Sequence, residues 1–312
     1  MSNHYCILDA RSMKIAKEEL NEDPEQKEGQ LQTFKDWINE RQWLKLPTDD
    51  FFLLGILRST KFCQLRARER AVHIAKMPST FPRWRLARDP VSAIFKKCIE
   101  EGYQITLPKK NAEGQTIVIV RPGAIDASGE SYSPEDLIQS SAVIAKYINM
   151  DELVQINGII FIVDFTNLNM KQVSFIGLEM IKQTMKQIKK VDTQRLRAIH
   201  CYNNGPLFDS LYALLGHLVS EKVKSRIVIH GRELEGLYKY IDKDLLPEEY
   251  LPDDYEGPCA GSIKSILSNF VESMSAPHVL DWFDRLHSVT GVDFALKPSD
   301  DEPQESFRKL TD

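Results

Sequence analysis

The sequence predicts an α/β protein, a helical N-terminal region followed by an α/β/α sandwich with a mainly parallel sheet. Three observations carry this. The first hundred residues space their apolar positions as helices do. The run GIIFIV at 158–163 is unbroken and apolar, as in a strand covered on both faces. Strand-like and helix-like segments then alternate, which calls for parallel strands joined by right-handed crossovers.

Taken in order, 24–44 reads as a helix with Leu31, Phe34, Trp37 and Ile38 on one face. Thr48 is the expected N-cap of the next helix, with Asp49 and Asp50 in its first turn. A helix over 64–77 is ended by Pro78, and a short one over 93–101 is stopped by Gly102. The segments 105–107 and 116–120 flank a turn and predict a hairpin. Ser133 caps a helix with Pro134 at its first position and Asp136 three residues after the cap. After the central strand come a long helix over 172–189, a strand over 197–202, a helix over 206–224 and a strand over 226–230. Two helices, 262–274 and 277–287, close the fold. The expected units are a helical domain over 1–100, an α/β domain over 101–258, C-terminal helices over 259–297, and an acidic, disordered tail over 298–312.

Forty Lys and Arg against 45 Asp and Glu leave a net charge of -5, which speaks against nucleic acid as a partner. The average conceals a local exception. Residues 182–198 hold six cations and one anion, and 221–226 add a further net +2. Five cysteines stand singly without a C-x-x-C, so neither a disulfide framework nor a zinc site is expected, and free thiols suit a reducing compartment. No apolar run approaches the ~20 residues of a membrane span, and the first twenty residues carry no signal-type core. The expectation is a cytoplasmic monomer, at most transiently peripheral to membranes.

Enzyme motifs do not assemble. There is no G-x-G-x-x-G, no G-x-x-x-x-G-K-[ST], no G-x-S-x-G and no H-E-x-x-H; GPCAGSIKS at 257–265 has the composition of a phosphate loop but the wrong spacing. His200 and His230 fall at strand ends, where hydrogen-bonded core histidines are commoner than catalytic ones. Asp164 reads as an acceptor for loop amides. No catalytic residue, metal or cofactor is predicted, and a binding protein is favoured over an enzyme.

The segment 206–224 carries the most information. Leu207, Leu211, Leu214, Leu215 and Leu218 follow i, i+4, i+7, i+8, i+11, and the stripe turns cationic at Lys222 and Arg226. Two readings stay open. One is an ordinary sheet-covering helix whose cations complement its dipole. The other is an apolar lid whose basic end addresses anionic lipid headgroups.

Five motifs, in this order, then bear on the choice: TDDFFLLGILRSTKF (48–62), NGIIFIVDF (157–165), RAIHCYNNGP (197–206), SEKVKSRIVIHG (220–231) and LLPEEY (245–250). Together they resemble the CRAL-TRIO family of lipid-transfer proteins, in its alpha-tocopherol transfer and retinaldehyde-binding branch. The resemblance implies a three-helix N-domain and a pocket between the sheet and a mobile gate helix, here 206–224. It implies a phosphoinositide-binding patch of Arg58, Arg195, Arg197, Lys222, Lys224 and Arg226. It places the pocket lining at Leu137, Ser141, Ile144, Ala145 and Ile148 on one helix, Phe161, Val163 and Phe165 on the central strand, and Phe208, Leu211, Leu215 and Leu218 on the gate. The family's tocopherol carrier has two serines where this chain has Ser141 and Ala145, which weighs against tocopherol itself. The implied function is to bind one hydrophobic ligand (a terpenoid, retinoid, tocopherol or similar lipid) and transfer it between membranes, with phosphoinositide docking opening the gate. The alternative is a lipid-sensing adaptor that keeps its ligand and presents a protein-interaction surface.

Overall fold

The computed structural model describes residues 8–80 and 92–298. All but the first residue of the acidic tail lies outside that range. Helix α1 (Ala10–Leu20) starts at Asp9, whose carboxylate accepts from the Ser12 N–H, and ends at Asn21 with φ 59°. Helix α2 (Lys27–Asn39) buries Leu31, Phe34 and Ile38, the face its spacing predicts. After the two-residue strand β1 (Leu44–Lys45), helix α3 (Asp50–Ser59) is capped by Asp49 rather than Thr48. The Asp49 carboxylate accepts from the Phe52 N–H at 3.0 Å. Helix α4 (Gln64–Thr80) continues through Pro78 instead of stopping before it. Proline lacks an N–H, so the helix gives up one backbone bond at that position. Phe34, Leu53, Leu57, Ala67 and Ala71, all fully buried, form the core of this helical region.

Helix α5 (Ala93–Glu100) leads into the antiparallel hairpin of β2 (Gln104–Thr106) and β3 (Thr116–Val120), in register Ile105 to Ile119. Helix α6 (Pro134–Ile148) opens with the expected capping box of Ser133 and Asp136. A short helix α7 (Glu152–Asn157) precedes the central strand β4 (Ile159–Asp164). The long helix expected next is two helices, α8 (Met170–Ile176) and α9 (Leu178–Val191), because Gly177 adopts φ 78° between them. Strand β5 (Leu196–Tyr202) follows.

The helix expected over 206–224 is also divided. Helix α10 (Pro206–Leu215) passes into a 3-10 turn (Gly216–Leu218), Val219 is extended, and a last turn α11 (Glu221–Lys224) starts afresh after Ser220. Gly216 lowers helix propensity where the first segment stops. Strand β6 (Ile227–Ile229), a stretch of 3-10 turns, helices α12 (Ile263–Met274) and α13 (Pro277–Val289), and strand β7 (Gly291–Val292) follow among the described residues. β7 pairs with β1, tying the C-terminal end to the helical region.

The main sheet has the order β2-β3-β4-β5-β6, antiparallel only at β2. Register sorts its side chains. Ile117, Ile119, Ile160, Ile162, Ala198 and His200 share one face; Val118, Val120, Phe161, Val163, Ile199 and Cys201 share the other. The first face is sealed except at Ala198. The second is sealed at Val118 and Cys201 but leaves Val120, Phe161, Val163 and Ile199 half-buried. The central strand is therefore covered fully on one face and loosely on the other. No helix among the described residues is long and apolar enough to cross a membrane.

Candidate functional site

Half-buried apolar residues also occur on α9 and α10. α9 is strongly amphipathic, yet Ile181 and Met185 are only half-buried and Ile188 is 50% exposed; the helix buries none of its residues. On α10 only Phe208 is buried, while Leu211 and Leu215, like Leu218 in the following turn, are half-buried. Phe165, just past β4, meets Phe208 edge-on with ring centroids 4.9 Å apart, and Phe208 meets Tyr212 at 5.8 Å. These rings hold α10 against the end of the sheet. The Lys189 ammonium donates to the Leu218 carbonyl, tying α9 to the turn after α10.

The expected lining of α6 divides. Ser141 and Ala145 are half-buried; the Ser141 hydroxyl donates to the Leu137 carbonyl at 3.1 Å, and the Ala145 carbonyl accepts from Gln194 at 3.1 Å. Leu137, Ile144 and Ile148 belong instead to packed core. Leu137 sits with Cys98, Ile125 and Tyr132, and the other two pack with the sheet. Their side chains are enclosed by protein, so they present no surface to a ligand here.

The cations separate more sharply. Arg58 is 1% exposed. Its guanidinium donates to both oxygens of Glu22 at 2.8 and 2.9 Å, to Glu152 at 2.7 Å and to Gln155 at 2.9 Å. Arg58 is thus a buried link between α3, the turn after α1, and α7, and not a member of a surface patch. Burial pushes Glu22 upward, but Arg58 and Lys27 outweigh it and hold the carboxyl below its usual range.

Arg195 and Arg197 remain together. Arg195 Nη1 donates to the Ile156 carbonyl and Arg197 Nε to the Asn157 carbonyl, each at 2.7 Å. The C-terminal end of α7 therefore sets both guanidinium groups. Gly158 allows this approach: its φ is 90°, and a Cβ there would lie 2.3 Å from the Arg195 carbonyl oxygen. The remaining arms of both arginines meet Glu19 of α1, at 3.1 Å for Arg197. Burial raises the Glu19 carboxyl, and the two arginines more than reverse it.

Lys222 is exposed, Lys224 pairs with Glu221 at 2.8 Å, and Arg226 donates to the Leu196 carbonyl. Partial burial, then the charges of Arg226, Lys61 and Arg195, push the Lys222 ammonium below its usual value. Lys61, exposed in the left-handed turn between α3 and α4 at φ 54°, therefore joins this cation group. It escaped the sequence reading although it stands in the same motif as Arg58, three residues on. Glu19 was missed as well, because nothing local marks a single acid on an amphipathic helix.

On the sealed side a cleft of about 900 Å³ is lined by Glu101, Arg121, Asp164, Tyr202, Glu249 and Tyr250 among others. It contains none of the expected lining residues. Asp164 accepts from the Thr166 N–H at 2.9 Å, as expected of a loop acceptor, and from the Tyr250 hydroxyl at 2.6 Å. His200 Nδ1 and His230 Nε2 lie 2.8 Å apart, so each satisfies the other.

A mainly parallel five-stranded sheet with a loosely covered apolar face is the setting in which the comparisons with known proteins fall. Residues 100–250 match the CRAL/TRIO domain. Mouse alpha-tocopherol transfer protein-like is 25% identical over 253 residues, covering 79% of this chain and 71% of that protein. The human protein of that name is 25% identical over 274 residues, 86% of this chain and 76% of its own. Clavesin-1 of Xenopus laevis is 26% identical over 254 residues, 80% of this chain and 75% of its own. The crystal structure of Sfh5 is similar at 12% identity and a TM-score of 0.46, over 86% of this chain and 99% of that one, a likeness too loose to carry an argument.

Proposed function

We propose that this protein binds one hydrophobic ligand between the loosely covered face of the sheet and helices α9 and α10, and carries it between membranes. The observation that carries this reading is that apolar side chains there are only half-buried, Phe161 and Val163 on the sheet and Leu211 and Leu215 on α10. A packed interior encloses such side chains. An apolar ligand filling the space would be driven in by ~25 cal/mol for each Å² of surface removed from water. The names of the alpha-tocopherol transfer protein-like relatives support a lipid cargo, and Ala145 in place of a serine weighs against tocopherol itself.

In this reading α10 to α11 is the gate, and its breaks at Gly216 and Val219 let it move as short rods. Arg195, Arg197, Lys222, Lys224 and Arg226, with Lys61 added and Arg58 removed, form the surface that docks on phosphoinositide headgroups. The docked state is transient and peripheral, on the cytoplasmic side, and the carrier is a monomer. Two measurements test this. Mass spectrometry of an organic extract of the purified protein should give a stoichiometric lipid. A transfer assay between anionic vesicles should slow when Lys222→Ala is combined with Arg226→Ala; unchanged vesicle binding and transfer would sink the docking step.

A further inference from the structure

The Glu19 carboxylate sits where a phosphate oxygen would sit. One of its oxygens accepts from both Arg195 and Arg197, whose other arms are fixed on the Ile156 and Asn157 carbonyls. Two guanidinium groups so oriented converge on a single anionic point. Glu19 comes from α1, outside the matched residues 100–250.

The helix behind it is anchored. Ala16 and Leu20 pack on Ile156, and the Ser12 hydroxyl accepts from the Asn157 amide at 3.1 Å. Its side chain is not anchored, being 44% exposed beyond its two arginines. Release therefore needs only a rotation of Glu19, with α1 left in place.

We propose that Glu19 is a built-in counter-anion that holds the Arg195–Arg197 pair closed, and that a phosphoinositide headgroup docks by displacing it. Cations already paired repel no anion but offer it less, so membranes of low phosphate density are refused. Multiply charged headgroups outcompete a single carboxylate. Weakly anionic membranes thus do not trigger docking, and the threshold is set by this one residue. The inference rests on the docking surface proposed above.

The test is vesicle co-sedimentation with the full chain, using phosphatidylcholine vesicles containing a phosphatidylinositol bisphosphate, and a parallel set of equal charge containing phosphatidylserine. Glu19→Gln should bind the phosphoinositide vesicles about threefold to tenfold more tightly and should also gain binding to phosphatidylserine vesicles. Glu18→Gln, on an exposed residue that pairs loosely with Lys14, should match the wild type. Arg195→Ala with Arg197→Ala should weaken binding and cancel the gain from Glu19→Gln. If that double variant weakens binding but Glu19→Gln changes nothing, the counter-anion is overturned and the docking surface stands. If the double variant binds as the wild type does, the docking surface itself is wrong and the inference falls with it. A thermal melt of each variant separates these outcomes from loss of fold.

Discussion

Arg58 Nε lies 2.8 Å from Glu22 Oε2 inside the protein, and the same guanidinium reaches Glu152 at 2.7 Å. This three-residue link joins the helical region to the α/β body. Removing the cation leaves Glu152 buried without its partner and Glu22 with Lys27 alone. Arg58→Ala should therefore lower unfolding free energy by about 3–5 kcal/mol. Arg58→Lys keeps the charge but loses the fork, and should cost less while remaining clearly destabilising. Denaturant titration checks both. The folded Arg58→Lys protein should bind anionic vesicles as the wild type does, since the side chain never faced them.

Lys61 should behave oppositely. It is exposed, and its charge acts on Lys222. A cation near an anionic surface is worth ~1 kcal/mol, or about fivefold in affinity. Lys61→Ala should weaken phosphoinositide vesicle binding by about that factor, with the loss shrinking at high salt, and should leave thermal stability unchanged. Vesicle binding across a salt series measures it.

What the sequence disclosed and what it hid follow from the range of the interactions. The Ser133–Asp136 capping box, the β2–β3 hairpin and the apolar face of α2 are local and were legible. The leucine spacing over 207–218 was legible as well, but the break at Gly216 was not, because the spacing continues across it. Arg58 carries the right motif for a surface cation; its burial depends on Glu22 and Glu152, 36 and 94 residues away. Glu19 meets its arginines across more than 170 positions. The two-residue strands β1 and β7 are too short to show any period. Composition placed the cations near helix α10, and only the fold tells which of them reach the surface.

His200 gives the stability a pH slope. Burial, then the His230 charge, push it down to about 4 from 6.5. In the fold it stays neutral where the unfolded chain takes up a proton. Its contribution is complete above pH 6.5 and is lost as pH falls toward about 4. Asp192, pushed up to about 6 by burial, slopes the other way over part of this window, so the comparison must be between variants. His200→Gln should reduce the loss of stability between these limits by about 1–3 kcal/mol, as read by denaturant titration at each pH. Equal slopes for the two proteins would show that His200 is protonated in the fold.

Ile162 and Val163 are neighbours on β4 that face opposite ways, and the proposed ligand site predicts opposite responses to the same enlargement. Ile162 is fully buried on the sealed face. Ile162→Phe must push packed neighbours aside and should cost about 1–3 kcal/mol. Val163 is half-buried on the loosely covered face. Val163→Phe finds room there and covers apolar surface already open, so the ligand-free protein should be unchanged or stabilised by up to about 1 kcal/mol. The same ring occupies space meant for cargo, so the lipid recovered by extraction should fall severalfold. Thermal melts of delipidated protein, paired with mass spectrometry of extracts, give both readings. A destabilised Val163→Phe would mean that the face is already packed and that the ligand lies elsewhere.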